Sequence, residues 1–212
     1  MKRFSILVLV SIGITVSGCS NQGAIYDKGQ GVNNNNFKVI ESYKKACNGG
    51  NNTGCFRLGN RYRKGQGVKQ DYFKAAELYQ KACNGGNING CTNLGLMYDK
   101  GLGVKQDYSK VAELYQKICN GGNINGCHDL GNLYRKGQGV KQDYFKAAEL
   151  YEKACNAGNT YGCIDVGLLY QDGKGVKQNY FTAIDFYTKA CNGGNSGGCA
   201  NRIMLKNALR LK

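Results

Sequence analysis

Ten cysteines, all in pairs with seven residues between the members, are the groups in this chain best placed to do chemistry. They stand at 47 and 55, 83 and 91, 119 and 127, 155 and 163, and 191 and 199. Regularly spaced thiols form either metal sites or disulfides. Zinc sites use closer pairs, with two to four residues between ligands, and often histidines. Seven intervening residues and the lone His128 do not fit a metal site. Paired cysteines at this density in an exported chain read as disulfides. Local bridges Cys47–Cys55, Cys83–Cys91, Cys119–Cys127, Cys155–Cys163 and Cys191–Cys199 are the economical choice, although spacing alone leaves other connectivities open. Each would close a loop of roughly 9 residues and contribute about 2–3 kcal/mol by loss of unfolded-chain entropy.

The thiols lie inside a larger period. The run G-C-x-x-L-G-x-x-Y-x-K-G-x-G-V-K-Q-D-Y begins at Gly54 and returns at Gly90, Gly126 and Gly162 with few changes. Stacked supersecondary units have periods of this kind, and none buries its apolar face alone. Each unit reads as two helices. In the unit from Asn87 to Lys100, Asn87 is an N-cap, and Cys91, Leu94, Gly95 and Tyr98 recur at helical spacing. Gly101 stops that helix, and Gly101–Gln106 forms a turn. Asp107 caps the second helix, whose buried stripe is Val111, Ala112, Tyr115, Ile118 and Cys119. Each cysteine pair then staples the second helix of one repeat to the first helix of the next. The fold class expected is all-α, an α/α solenoid of about five repeats.

Residues 1–18 read as a signal peptide: Lys2 and Arg3 precede the apolar run Phe4–Val16, which is shorter than the roughly 20 residues a membrane-spanning helix needs. Val16-Ser17-Gly18-Cys19 resembles a bacterial lipobox, in which the cysteine is lipidated. That accounts for Cys19, the eleventh and unpaired cysteine. Residues 19–22 are then anchor and tether, 23–196 the solenoid, and 197–212 a C-terminal capping helix with Arg202, Lys206 and Arg210 among apolar residues. This N-terminus implies a membrane-anchored protein at the bacterial outer membrane, or a secreted one if the lipobox is unused. The net charge falls from +15 to +13 when Lys2 and Arg3 leave with the signal. Such a balance favours anionic envelope or host polymers. An exported chain does not meet nucleic acid. Lys69, Lys105, Lys141 and Lys177 recur in the turns and read as solvated.

The L-G-x-x-Y-x-x-G-x-G-V-x-x-D pattern, followed by spaced alanines and tyrosines, resembles the SEL-1-like repeat, a relative of the tetratricopeptide repeat. The added cysteine pair is similar to the Helicobacter cysteine-rich proteins. The resemblance implies a protein-interaction scaffold whose first helices line a concave face and hold a protein or peptide. It also implies, as an alternative, weak β-lactam hydrolysis or penicillin binding.

Comparison among repeats points to where a ligand would sit. Packing positions hardly change, whereas first-helix positions off the packed face vary: Phe56, Thr92, His128, Ile164; Arg57, Asn93, Asp129, Asp165; Asn60, Leu96, Asn132, Leu168; Arg63, Asp99, Arg135, Gln171. The expected ligand contacts are Arg57, Asn60, Arg63, Asn93, Asp129, Asn132, Arg135 and Asp165. Asparagines would clamp peptide backbone and arginines carboxylates. For catalysis the candidates are Ser42 with Lys45, the sole Ser-x-x-Lys, and His128 beside Asp129. Neither Lys-Thr-Gly nor Ser-Asp-Asn accompanies the former. Ser42 takes the slot of Leu78, Leu114, Leu150 and Phe186, which reads as softened packing, and His128 reads as a surface residue. No cofactor motif is present: the turn G-x-G lacks a P-loop or dinucleotide context.

Overall fold

The computed structural model describes residues 30–210. The signal peptide, Cys19 with its tether, the repeat region up to residue 29, and residues 211–212 lie outside them. Among the described residues there are ten helices and no strand: α1 Gln30–Asn48, α2 Asn52–Lys64, α3 Tyr72–Asn84, α4 Ile88–Lys100, α5 Tyr108–Asn120, α6 Ile124–Lys136, α7 Tyr144–Asn156, α8 Thr160–Asp172, α9 Tyr180–Asn192 and α10 Ser196–Ala208. Helices pack chiefly against their neighbours in sequence, so the core is a file of small clusters along the stack. This is the expected α/α solenoid.

Helix boundaries follow local chemistry. At the start of α4, the Asn87 side chain accepts from Gly90 N at 2.9 Å, satisfying a donor the helix leaves free. The helix ends where Gly101 turns left-handed at φ 66°, a conformation that costs any other residue a Cβ clash. Asp107 then accepts from Lys110 N and starts α5. Between them Gln106 Nε2 donates to Asp99 O (2.6 Å) and to the Tyr108 hydroxyl (3.1 Å), which fixes the turn. The buried residues of α5 are the stripe read from sequence. In α4 the stripe is Cys91, Leu94, Gly95 and Met97, with Tyr98 only partly buried. Tyr98 instead lies under the Lys110 ammonium, 4.9 Å from the ring centroid.

α1 departs from the repeat plan. Residues 33–36, which replace the turn and cap of other units, are helical within α1. Gly67 of the following turn sits against the Asn36 side chain here, whereas Gly103 and Gly175 sit against the backbone of Tyr72–Phe73 and Tyr144–Phe145.

All five disulfides join the local pairs, α1 to α2, α3 to α4, α5 to α6, α7 to α8 and α9 to α10. The Cα atoms are 4.5 to 4.6 Å apart, a span a disulfide bridges without moving the backbone. Each bridge crosses a Gly-Gly or Ala-Gly turn between repeats. All ten paired cysteines are thus spent on disulfides.

Within a repeat, the two helices meet where a first-helix glycine faces a second-helix tyrosine: Gly59 on Tyr79, Gly95 on Tyr115, Gly131 on Tyr151, Gly167 on Tyr187. A Cβ on Gly131 would stand 2.7 Å from the Tyr151 ring, against 3.3 Å for Gly95 and Tyr115. The Tyr151 hydroxyl is also tethered by two side chains of α6, so its ring cannot swing aside. Gly131→Ala is therefore expected to lose about 1–2 kcal/mol through overpacking, more than its gain in helix propensity. Gly95→Ala should stay within about 0.5 kcal/mol of the parent, because propensity offsets a milder contact. Urea melts of the two variants give the comparison, and equal losses would contradict it.

Candidate functional site

The first-helix residues singled out in the sequence form hydrogen-bonded clusters with the tyrosines behind them. In α2, Asn60 and Arg63 lie one turn apart and both reach Tyr79 of α3. The Tyr79 hydroxyl donates to Asn60 Oδ1 (2.7 Å) and accepts from Arg63 Nε (3.2 Å). Asn93 of α4 donates from Nδ2 to the same Asn60 oxygen at 3.2 Å, linking two repeats. The arrangement recurs two repeats on: the Tyr151 hydroxyl donates to Asn132 Oδ1 (2.9 Å) and accepts from Arg135 Nε (3.1 Å). In the unit of α8 and α9, Leu168 replaces the asparagine, and the Tyr187 hydroxyl donates to Gln171 Oε1 at 2.8 Å. The asparagine oxygens are thus already engaged. The outer guanidinium nitrogens of Arg63 and Arg135 make no hydrogen bond among the described residues and suit a carboxylate. Arg57 is exposed and lies 5.9 Å from the Tyr43 ring.

His128 is placed differently from the surface position read for it. Its side chain is 18% exposed and bridges α6 to α8. Nε2 is 2.7 Å from Asp165 Oδ2, and Nδ1 is 3.7 Å from Asp129 Oδ1. The Tyr151 and Tyr161 rings stand at 5.5 and 6.5 Å. Burial pushes the imidazole pKa down, but the carboxylates of Asp129 and Asp165 outweigh it and hold the pKa up at about 9. With its pKa at about 9 His128 is protonated at neutral pH, its Nε2 donating to Asp165 while Nδ1 only faces the Asp129 carboxylate, beyond hydrogen-bond distance. It is not free to take a proton from a serine. Burial and the Asp165 charge push Tyr151 up to about 12, with Arg135 opposing them.

The remaining candidates stand apart. Ser42 and Lys45 are both exposed on α1, where Lys44 is the lysine that pairs, with Glu41 at 2.8 Å. α1 packs against α2, while His128 is on α6, so the structure does not join these groups. Tyr79, Tyr151 and the 66%-exposed Tyr161 belong to the face but were not singled out from the sequence. The signal for Tyr161 was its departure from Asn89 and Asn125 at the same repeat position. Tyr79 and Tyr151 gave no such signal, because their position is tyrosine in every full repeat.

The sequence model of the Sel1 repeat matches residues 18–51, 53–87, 88–123, 124–159 and 160–195. The chain belongs to the Sel1 repeat family. Among solved structures, this Sel1 repeat protein is similar to a protective antigen of uropathogenic Escherichia coli that displays an SLR fold. The two are 31% identical, with a TM-score of 0.75, over 79% of this chain and 36% of the antigen. The chain thus spans about a third of that antigen's length. Helicobacter pylori cysteine rich protein B is 34% identical, with a TM-score of 0.50, over 63% of this chain and 96% of its own. A Sel1 repeat protein from Oxalobacter formigenes, 22% identical with a TM-score of 0.65 over 79% of this chain and 72% of its own, shares the fold. No curated protein sequence matches this Sel1 repeat protein. Its five disulfides call for an oxidising compartment. Among the described residues no helix is long and apolar enough to cross a membrane.

Proposed function

We propose that this Sel1 repeat protein is an exported scaffold that binds an extended segment of another protein along the face of its first helices. The observation that carries this reading is the lateral continuity of that face. Asn93 reaches Asn60 across α4 and α2, and His128 reaches Asp165 across α6 and α8. Side chains that vary between repeats therefore lie side by side on consecutive repeats, as an extended ligand requires. Arg63 and Arg135 supply carboxylate contacts, Asn93 and Asn132 backbone contacts, and Arg57, Asp129 and Asp165 the charges at either end of the row. Export rests on residues 1–18 as signal, with Cys19 as the lipidated residue that tethers the solenoid to the outer membrane.

Selection of displayed peptides against the oxidised chain tests the reading. Peptides so selected should lose tenfold or more in affinity when Asn60, Asn93 and Asn132 are changed together to alanine, about the cost of two or three net hydrogen bonds. A melting curve of the triple variant separates lost contacts from lost folding, since Asn60 and Asn132 also hold tyrosines. Unchanged affinity in a folded triple variant would sink the proposal. Hydrolysis of a chromogenic cephalosporin by the same material, followed in Ser42→Ala and His128→Ala, addresses the enzymatic alternative. Among the described residues no contact favours that alternative.

A further inference from the structure

The first-helix face changes character from one end to the other. α2 carries Arg57, Arg61, Arg63 and Lys64 and no acid. α8 carries Asp165 and Asp172 and no base. Large apolar side chains left in solvent are distributed the other way. On the first helices they are Leu96 of α4, Tyr161 and Leu168 of α8, and Ile203 and Met204 of α10, with none on α2. Helical spacing puts Arg57, Arg63 and Lys64 on the side of α2 that holds Asn60. It likewise puts Tyr161 and Leu168 on one side of α8, and Met204 takes the Leu168 position in α10.

The two ends also differ in how their charges are matched. Asp165 holds the His128 cation at 2.7 Å, and Asp172 holds Lys174 at 3.0 Å. On α10, Arg202 and Lys206 stand half a turn away from Met204, so that side of the helix is uncharged. The bases of α2 make no ion pair among the described residues. The acids on the elements around α2 are committed elsewhere. Glu41 of α1 pairs with Lys44. Asp71 caps α3 and faces Lys74. Glu77 lies half a turn round α3 from Ala75 and Tyr79, the residues that meet Gly59 of α2, so it points away. Asp99 of α4 shares the face, and Lys100 beside it brings the opposite charge. The α2 end therefore keeps a basic excess.

We propose that the protein segment bound on this face is bipartite, with carboxylates lying on α2 and bulky apolar side chains lying on Tyr161, Leu168 and Met204. The inference rests on the first-helix face being the binding face, and adds the chemistry that face takes and its order along the stack. Charge complementarity chooses the acidic part, because the guanidinium and ammonium groups of α2 have no internal partner. Exposed apolar side chains whose charged neighbours are already paired choose the apolar part. A purely acidic chain would meet aspartates and apolar groups at α8. A purely apolar chain would cover the bases of α2 without pairing them. Neighbouring first helices at roughly 8–10 Å put α8 about 24–30 Å from α2. An extended chain covers that distance in about eight residues, which sets the separation of the two parts.

The probe is a displayed library of random peptides of about 16 residues, long enough to span the face at ~3.3 Å per residue, selected on the oxidised chain. Selected peptides should carry Asp or Glu towards one end and Leu, Ile, Met or Phe towards the other. Their affinity should fall as salt rises. Arg57→Glu with Lys64→Glu, both exposed, should weaken them about tenfold with the melt unchanged. The same peptides with lysine in place of their acids should bind the parent poorly and recover on that variant. Tyr161→Asn with Leu168→Asn borrows the residues found at Asn125 and Asn132, and should cost about tenfold while the salt dependence stays. The inference falls, and the binding face stands, if peptides that need Asn60, Asn93 and Asn132 carry no acidic block. It falls in the same way if they bind the Arg57→Glu, Lys64→Glu variant as tightly as the parent, or if polyglutamate displaces them as well as the unlabelled peptide does. Peptides indifferent to the asparagines and to the charge changes alike would remove the binding face and this inference together.

Discussion

Full reduction of the disulfides is expected to lower the melting temperature by tens of degrees, the largest single effect any treatment should have on this chain. The reason lies in the architecture. A solenoid has no central core, and its stability is a sum of repeat terms and nearest-neighbour interfaces. The five bridges sit on those interfaces, each joining the second helix of one repeat to the first helix of the next. A loop of roughly 9 residues gives about 2.6 kcal/mol per bridge in the chain-entropy estimate, so five together rival the ~5–15 kcal/mol net stability of an ordinary domain. Removing only the central bridge, by Cys119→Ser with Cys127→Ser, should lower the melting temperature by about 5–10 °C at about 2–4 °C per kcal/mol. It should also broaden the transition, since the halves on either side of α5 and α6 lose cooperativity. The ends should respond in a graded way. Cys191 and Cys199 are only partly buried whereas the other eight cysteines are buried, so limiting reductant should open Cys191–Cys199 first. Differential alkylation followed by peptide mass mapping reads the order. A reduced chain that melts within a few degrees of the oxidised one would show that helix packing alone carries the stack.

What could be read from the sequence divides by range of interaction. The caps Asn87 and Asp107 and the stop at Gly101 act within three or four residues, so their chemistry is written locally. The cysteine pairs were legible because a separation of eight residues crosses one short turn and little else. The site was less legible because its contacts jump. Asn132 and Arg135 meet Tyr151 at separations of 19 and 16 residues, and His128 meets Asp165 at 37. Variation at Asn60, Arg63, Asn132 and Arg135 was read as freedom to bind a ligand. Part of it is concerted: asparagine with arginine recurs in alternate repeats, and both grip a tyrosine hydroxyl. Where leucine takes the asparagine position, at Leu96 and Leu168, the fourth position is Asp99 or Gln171. That joint change was visible in the repeats, but its meaning needed the tyrosine's position in space. α1 was misleading for the opposite reason. Its Gly-Gln-Gly-Val at 29–32 copies the turn of other units, yet residues 30–36 continue as helix.

His128 should stabilise the fold most at neutral and acidic pH and lose that contribution in alkali. Its folded-state pKa is raised to about 9 against an ordinary 6.5. The contribution is therefore complete below about pH 6.5, falls between 6.5 and 9, and is gone as pH rises past the folded value. A shift of that size corresponds to about 3 kcal/mol at 1.36 kcal/mol per unit. The measurement compares urea midpoints of the parent and His128→Gln from pH 6 to pH 10. The gap should be widest at pH 6 and nearly closed at pH 10, and Asp165→Asn should remove most of the pH dependence. The chain has a single histidine, so one imidazole proton resonance reports its titration without assignment. A midpoint near 9 makes His128 a fixed cation that joins α6 to α8 within the ligand face. Its charge would then be met by Asp165 and Asp129, and it could serve as a general base only in alkali. A midpoint at or below 6.5 would mean that neither aspartate holds the ring. It would also restore His128 as a base at neutral pH, and the hydrolytic alternative would regain the residue it lacks.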